Sequence, residues 1–139
     1  MQQIKDVMSQ DVKVLNPEAT IKDAARQMRD GDFGLMPVGE NDRLVGTLSD
    51  RDIVIRGVAD GMDANTKVRQ LMSTQVLWAY EDDSVDKAHQ IMSVNQIRRL
   101  PIVNTEKRLV GILALGDLAV DGADTKAAGE ALSEISKPG

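Results

Sequence analysis

From Thr20 onward the apolar residues Ile21, Ala24, Ala25 and Met28 fall at i, i+3, i+4 and i+7, the spacing of one buried helical stripe, and Thr20 is placed to cap it. Asp30-Gly31-Asp32 ends that helix. The pattern then changes to a short apolar run, Leu35-Met36-Pro37-Val38, followed by Gly39-Glu40-Asn41-Asp42 and a second run, Leu44-Val45-Gly46-Thr47-Leu48. Apolar runs flanking turn residues predict a hairpin. A second helix is expected from about Ser49, carrying Ile53, Val54 and Val58 until Gly61, and Val12-Lys13-Val14-Leu15 reads as a strand before Asn16-Pro17. One unit is thus β-α-β-β-α.

The chain says this twice. Val7-Met8-Ser9 recurs 64 positions on as Leu71-Met72-Ser73, Ala24 and Met28 as Ala88 and Met92, and Met36-Pro37-Val38 as Leu100-Pro101-Ile102. One extra residue in the second hairpin loop shifts the offset to 65, after which Arg43-Leu44-Val45-Gly46 returns as Arg108-Leu109-Val110-Gly111 and Asp52 as Asp117. In the second copy the expected elements are a strand at Val76-Leu77-Trp78, a helix from Ser84 to Val94, strands at Leu100 to Val103 and Leu109 to Leu113, and a helix from Gly116-Asp117. Tandem copies of one supersecondary unit predict an α/β (α+β) fold in which the two repeats pack through their sheets about a pseudo-twofold axis. The repeats divide as 1–61 and 62–121; the polar, glycine-bearing residues 60–70 connect them, and 122–139 form a tail whose Ala128, Ala131, Leu132 and Ile135 have helical spacing.

Composition narrows the chemistry. The 139 residues include no cysteine and one histidine, His89, which removes disulfides and Cys/His zinc clusters and leaves a catalytic triad hard to assemble. Walker, Gly-x-Gly-x-x-Gly and His-Glu-x-x-His motifs are absent too, so the expectation is a protein without catalysis. A net charge of −5 argues against a nucleic-acid partner, and no apolar run reaches the roughly 18 residues of a membrane span, so a cytoplasmic location is expected. Met8, Met28, Met72 and Met92 recur by symmetry and read as core filler. Faces around Ile53, Val54, Val58, Leu118 and Val120 read as partly uncovered, hence a homodimer.

A helix with Ala and Met on one face, a strand ending in apolar-Pro-apolar, a hairpin and then Gly-x-x-Ser-x-x-Asp resembles a cystathionine-β-synthase (CBS) domain, and two in tandem over residues 4–120 resemble a Bateman module. Ser49-Asp50-Arg51-Asp52-Ile53-Val54-Ile55-Arg56-Gly57 is similar to stand-alone bacterial CBS pairs of the hypoxic-response type. The resemblance implies a dimeric regulatory module binding AMP, ADP, ATP or NAD in clefts between the repeats, a sensor of energy or redox state. It assigns the phosphate contact to Ser49 and the ribose hydroxyls to Asp52, beside Arg51. Facing them it sets Ile97 and the strand backbone along the base, with Ala88 leaving room for it and Arg98 and Arg99 for phosphate; Leu77, Trp78 and Pro101 are counted among the ligand-binding residues, Trp78 on a strand that borders the cleft and otherwise reads as packing. Arginine suits that role by its bidentate fork, and a carboxylate suits a cis-diol because it only accepts.

The second implied cleft comprises Val14, Ala24, Phe33, Gly34, Leu35, Pro37 and Asp117, and it departs from the pattern: Ala114 replaces the hydroxyl residue and no arginine sits at Phe33-Gly34-Leu35. It is expected to be the weaker. Read alone, Ser49 is a helix cap, Asp52 a favourable first-turn acid and Arg98-Arg99 a solvated basic turn; the repeat context favours the ligand reading. The rival is a ligand-free scaffold docking a regulated protein through its dimer surface or tail. A hydrolase built on Asp50, Asp52 and Asp117 would lack a base, nucleophile and metal set.

Overall fold

The structure, a computed structural model, describes residues 2–120, so the expected tail helix lies outside the described residues. It consists of two compact units. One is formed by residues 13–76, and the other joins residues 2–12 to residues 77–120.

In unit 13–76, helix α1 (Ile21–Gly31) starts at Thr20, whose hydroxyl accepts from the Asp23 amide, and ends where Asp32 turns left-handed at φ 55°. Strands β1 (Leu35–Glu40) and β2 (Arg43–Ser49) pair antiparallel with Glu40 opposite Arg43. Asn41 and Asp42 between them have φ of 56° and 64°. Two successive positive φ values make the tight turn whose twist suits a hairpin, and Asn and Asp tolerate it. Helix α2 (Asp50–Asp52) runs straight into a π-helical segment, Ile53–Val58. The wider wind is seen in the amide of Ala59 donating to Val54 at 2.9 Å and that of Met62 to Gly57 at 3.0 Å. Gly57 is the buried residue of that segment and packs toward Leu71 and Ile21. Leu15, Ile21, Ala24, Met28, Met36, Val38, Leu48, Val68 and Leu71 form the core.

In the other unit, β3 (Ala79–Tyr80) runs parallel to β4 (Arg99–Val103), which pairs antiparallel with β5 (Leu109–Ala114). Helix α3 (Val85–Asn95) is capped by the Ser84 hydroxyl, and α4 (Leu115–Val120) closes the repeat. The register shifts after Ile102 as it does after Val38 in the first hairpin, so the repeat extends to its β-bulges. Ile4, Val7, Ala79, Val85, Ala88, Met92, Leu100, Ile102, Leu113 and Leu118 form this core.

Several expectations change. Val12–Leu15 makes only an isolated bridge, Leu15 to Val38, and the strand expected at Val76–Trp78 lies at Ala79–Tyr80. Leu118, expected on an uncovered face, is 1% exposed in the core, Ile53 is half-buried against the other core, and the Val120 side chain lies outside the description. The 60–70 stretch, read as the connector between copies, is hydrogen-bonded within unit 13–76: the Lys22 and Ile21 amides donate to Ala64 and Thr66, while those of Val68 and Arg69 donate to Ala19 and Pro17. A 3-10 turn at Val68–Gln70 buries Val68, as a matching turn at Ile4–Asp6 buries Ile4 in the other unit.

Ion pairs hold the same stretch, with Lys67 on Glu18 at 2.7 Å and Arg69 bridging Glu18 and Glu40 at 2.9 and 3.2 Å. Lys67 and then Arg69 hold the Glu18 carboxyl below its usual range. Because that pKa is depressed on folding, its contribution is present above the ordinary carboxylate value and is lost as pH falls through the folded one. Melting curves against pH should therefore show the parent and Glu18→Gln converging in acid, from a small neutral-pH difference expected of exposed pairs.

Each Met-Ser segment closes the opposite repeat's hairpin. Ser9 exchanges both backbone hydrogen bonds with Ile112 at 2.9 Å, and Ser73 does so with Thr47 at 2.8 and 3.0 Å. Met8 and Met72 lie over Gly111 and Gly46, while Met28 and Met92 are buried core residues.

Candidate functional site

Chemistry concentrates where a hairpin's second strand enters its helix. In unit 13–76, the Ser49 hydroxyl accepts from the Asp52 amide at 3.1 Å, and the Asp52 carboxylate accepts from the Ser49 amide at 2.9 Å. This reciprocal box arises because a hydroxyl at the cap and an acid three residues on satisfy each other's free amides. Both residues are half-buried and Arg51 is exposed. Asp52 is held through Oδ2 alone among the described residues. Its Oδ1 and the Ser49 hydroxyl proton remain available to a ligand. The Asp50 amide donates to Gly34 at 2.8 Å, tying the helix start to the edge of β1.

In the other unit the Asp117 carboxylate accepts from the Ala114 amide at 2.9 Å, but Ala114 returns no bond, so the box is half made. Completing it is a stability prediction: Ala114→Ser should raise the unfolding free energy by about 1 kcal/mol, read from urea melts. The Leu115 amide donates to Arg98 at 2.8 Å, the counterpart of the Asp50–Gly34 bond. Arg99 is half-buried opposite Ala114, and burial lowers its guanidinium pKa while the Asp117 carboxylate acts in the opposite sense. Arg98 is exposed. Trp78 meets Tyr80 edge-on at 4.9 Å and carries Lys107 over its ring at 5.6 Å.

The expected residues therefore divide between the units. Ser49, Arg51 and Asp52 belong to unit 13–76; Leu77, Trp78, Ala88, Ile97, Arg98, Arg99 and Pro101 belong to the other. Of the second set, Val14, Ala24, Phe33, Gly34, Leu35 and Pro37 belong to unit 13–76 and Asp117 to the other. Within single units the structure brings Ser49 to Asp52, and Asp117 to the end of β4 that carries Arg99. Ala24 and Ala88 have no exposed surface, which makes them packing residues between helix and sheet. Leu77 and Val14 are 39% and 42% exposed, Phe33, Gly34, Leu35 and Ile97 half-buried, and Pro37 and Pro101 buried. Sequence reasoning passed over Lys107, which takes a left-handed φ of 62° in the second hairpin loop; the one extra residue in that loop was the available signal.

The family model for the CBS domain matches residues 4–57 and again 68–120, the two copies of this arrangement. The chain belongs to the CBS-domain family. The CBS domain-containing protein YhcV of Bacillus subtilis is 44% identical over 136 residues, covering 98% of this chain and 96% of its own. Hypoxic response protein 1 of Mycobacterium tuberculosis is 38% identical over 117 residues, 83% of this chain and 81% of its own. A crystal structure of Hypoxic Response Protein I with two coordinated zinc ions superposes with TM-score 0.77 at 37% identity, covering 85% of this chain and 97% of that one. The CBS domain pair of protein MJ0100 in complex with 5′-methylthioadenosine and S-adenosyl-L-methionine does so with TM-score 0.73 at 27% identity, over 85% and 97%. Hairpins, helices and paired caps are thus those of a CBS pair, with the hydroxyl missing from the second cap.

Proposed function

We propose that this CBS pair is a cytoplasmic, non-catalytic, homodimeric regulatory module that binds an adenosine-containing ligand, AMP, ADP, ATP or NAD, and reports energy or redox state. The observation that carries the reading is the Ser49/Asp52 box: half-exposed, with one carboxylate oxygen and one hydroxyl proton unspent. Such a pair can accept from ribose hydroxyls and donate to a phosphate oxygen without giving up its cap. Arg98 and Arg99 supply cationic charge that a chain of net charge −5 lacks in bulk, and the adenosine compounds held by the MJ0100 pair support the ligand class. A ligand that favours one arrangement of the module shifts its population, and that shift is the regulatory signal.

Zinc is not carried over from Hypoxic Response Protein I. The sequence offers no cysteine and one histidine, and among the described residues no group of three or more His, Asp or Glu is placed to hold a metal ion.

Thermal-shift measurements with AMP, ADP, ATP, NAD and S-adenosylmethionine test the proposal. A ligand at about a hundredfold its dissociation constant stabilises the native state by about 2.7 kcal/mol, a clear rise in melting temperature. No shift with any of the five would leave the scaffold reading, which the exposed Val54, Ile55 and Val58 favour independently. Binding should also be unequal, one tight mononucleotide per chain, because the Asp117 set has no capping hydroxyl. Titration giving two equivalent tight AMP sites would overturn that asymmetry.

A further inference from the structure

The three amides of α2 are all spent. A helix start ordinarily presents its first unpaired amides to negative charge. Here the Asp50 amide donates to Gly34 at 2.8 Å, the Arg51 amide to Oδ1 of Asp50 at 2.8 Å, and the Asp52 amide to the Ser49 hydroxyl at 3.1 Å. One of them is thus taken by a carboxylate of the chain itself, that of Asp50, which is exposed and follows Ser49 directly. Among the described residues Asp50 makes no ion pair, so its charge is not cancelled at short range.

The fold does not require an acid at this place. Its counterpart 65 positions on is Leu115, whose amide donates to Arg98 at 2.8 Å as that of Asp50 does to Gly34, and α4 starts there without a carboxylate. The residues that accept these two amides differ as well. A Cβ on Gly34 would stand 2.9 Å from Oδ2 of Asp50 and 3.2 Å from Oδ1, so the bare glycine is what gives the carboxylate its place. Two equivalent helix starts therefore differ in sign: Asp50 over a glycine in one repeat, Leu115 bonded to Arg98 in the other.

We infer that Asp50 is a specificity-determining residue for the Ser49/Asp52 site, one that admits adenosine or its monophosphate and counts against ADP and ATP. The inference rests on the adenosine-ligand reading above and adds to it which members of that class this site accepts. A phosphate that meets the Ser49 hydroxyl reaches a helix start whose Arg51 amide is already held by a carboxylate. Each further phosphate then brings more negative charge toward a fixed negative group. Discrimination between related ligands commonly comes from a repulsive element of this kind, aimed at the wrong one.

Calorimetric titration of the full chain with adenosine, AMP, ADP and ATP tests this, in buffer with EDTA so that magnesium does not neutralise the phosphates. In the parent, affinity is expected to fall from AMP to ADP to ATP. Asp50→Asn keeps an acceptor for the Arg51 amide and removes the charge. The ratio of ATP affinity to adenosine affinity should then rise roughly tenfold, the scale of losing one nearby charge, with ADP between. A change in local packing alone would move all four ligands together, so a uniform change overturns the inference, as does an unmoved ratio. Should circular dichroism show that Asp50→Asn does not fold, Asp50→Leu decides by the same ratio, since leucine is what the other repeat carries there. A parent that binds none of the four overturns the adenosine-ligand reading and this inference with it. A parent that binds them with a ratio indifferent to the substitution overturns this inference alone.

Discussion

Replacing Asp52 by alanine is expected to weaken AMP binding by roughly ten- to hundredfold, because a charge-assisted hydrogen bond is worth about 1.5 to 3 kcal/mol and each 1.4 kcal/mol is about tenfold in affinity. The structure adds a complication that the experiment must remove. Asp52 also accepts the Ser49 amide at 2.9 Å, so alanine loses part of a helix cap as well as a ligand contact. Asp52→Asn separates the two, since its amide oxygen can still accept from Ser49 while the charge that favours the ribose diol is gone. The alanine variant should therefore melt lower than the asparagine variant, and both should bind AMP more weakly than the parent. Arg99→Ala should weaken binding to a similar degree through loss of cationic charge. Calorimetry giving unchanged affinity in both Asp52→Ala and Arg99→Ala would move the ligand elsewhere.

Gly46→Ala and Gly111→Ala are each expected to destabilise the fold by about 1 to 3 kcal/mol, the range for forcing an extra carbon into a packed site. A Cβ at Gly46 would lie 2.8 Å from the Met72 sulfur and 2.9 Å from the Ser73 carbonyl oxygen; at Gly111 it would lie 2.5 Å from the Met8 sulfur and 2.9 Å from the Ser9 carbonyl oxygen. A methionine can swing aside. The carbonyls cannot, because Ser73 is paired with Thr47 and Ser9 with Ile112 through their backbones. Gly116→Ala is the control, since nothing lies within 4 Å of its added carbon and it sits in α4, where alanine is the better helix former. Equal stability of the Gly46, Gly111 and Gly116 variants in urea would show that the close approach is not what these glycines are for.

The sequence foretold most clearly what is written in local chemistry. Thr20 and Ser84 begin α1 and α3 as their spacing predicts, both hairpins form, and the Ser49-to-Asp52 interval becomes the capping box, because each depends on residues within a few positions of one another. What was not legible depends on distant partners. Nothing in Ile-Val-Ile-Arg-Gly-Val announces the π wind, in which Gly57 is buried toward Leu71 and Ile21. Leu118 reads as the end of a surface stripe until the second core closes over it. The influence of Asp117 on Arg99 requires the β4–β5 register, which sets Arg99 opposite Ala114, and no spacing along the chain supplies it.

The exchange of Met-Ser segments orders events during synthesis. Residues 13–76 are contiguous, so their unit holds everything it needs once Ser73 has emerged and can complete its core while translation continues. Residues 2–12 precede that unit but belong to the other: the Ile4 amide donates to Asp83 and Ser9 pairs with Ile112, about a hundred residues later. At about 5 to 20 residues per second that wait is on the order of 5 to 20 s. During that wait Ile4 and Val7, core residues of the later unit, stand without the partners that bury them and are open to a ribosome-associated chaperone.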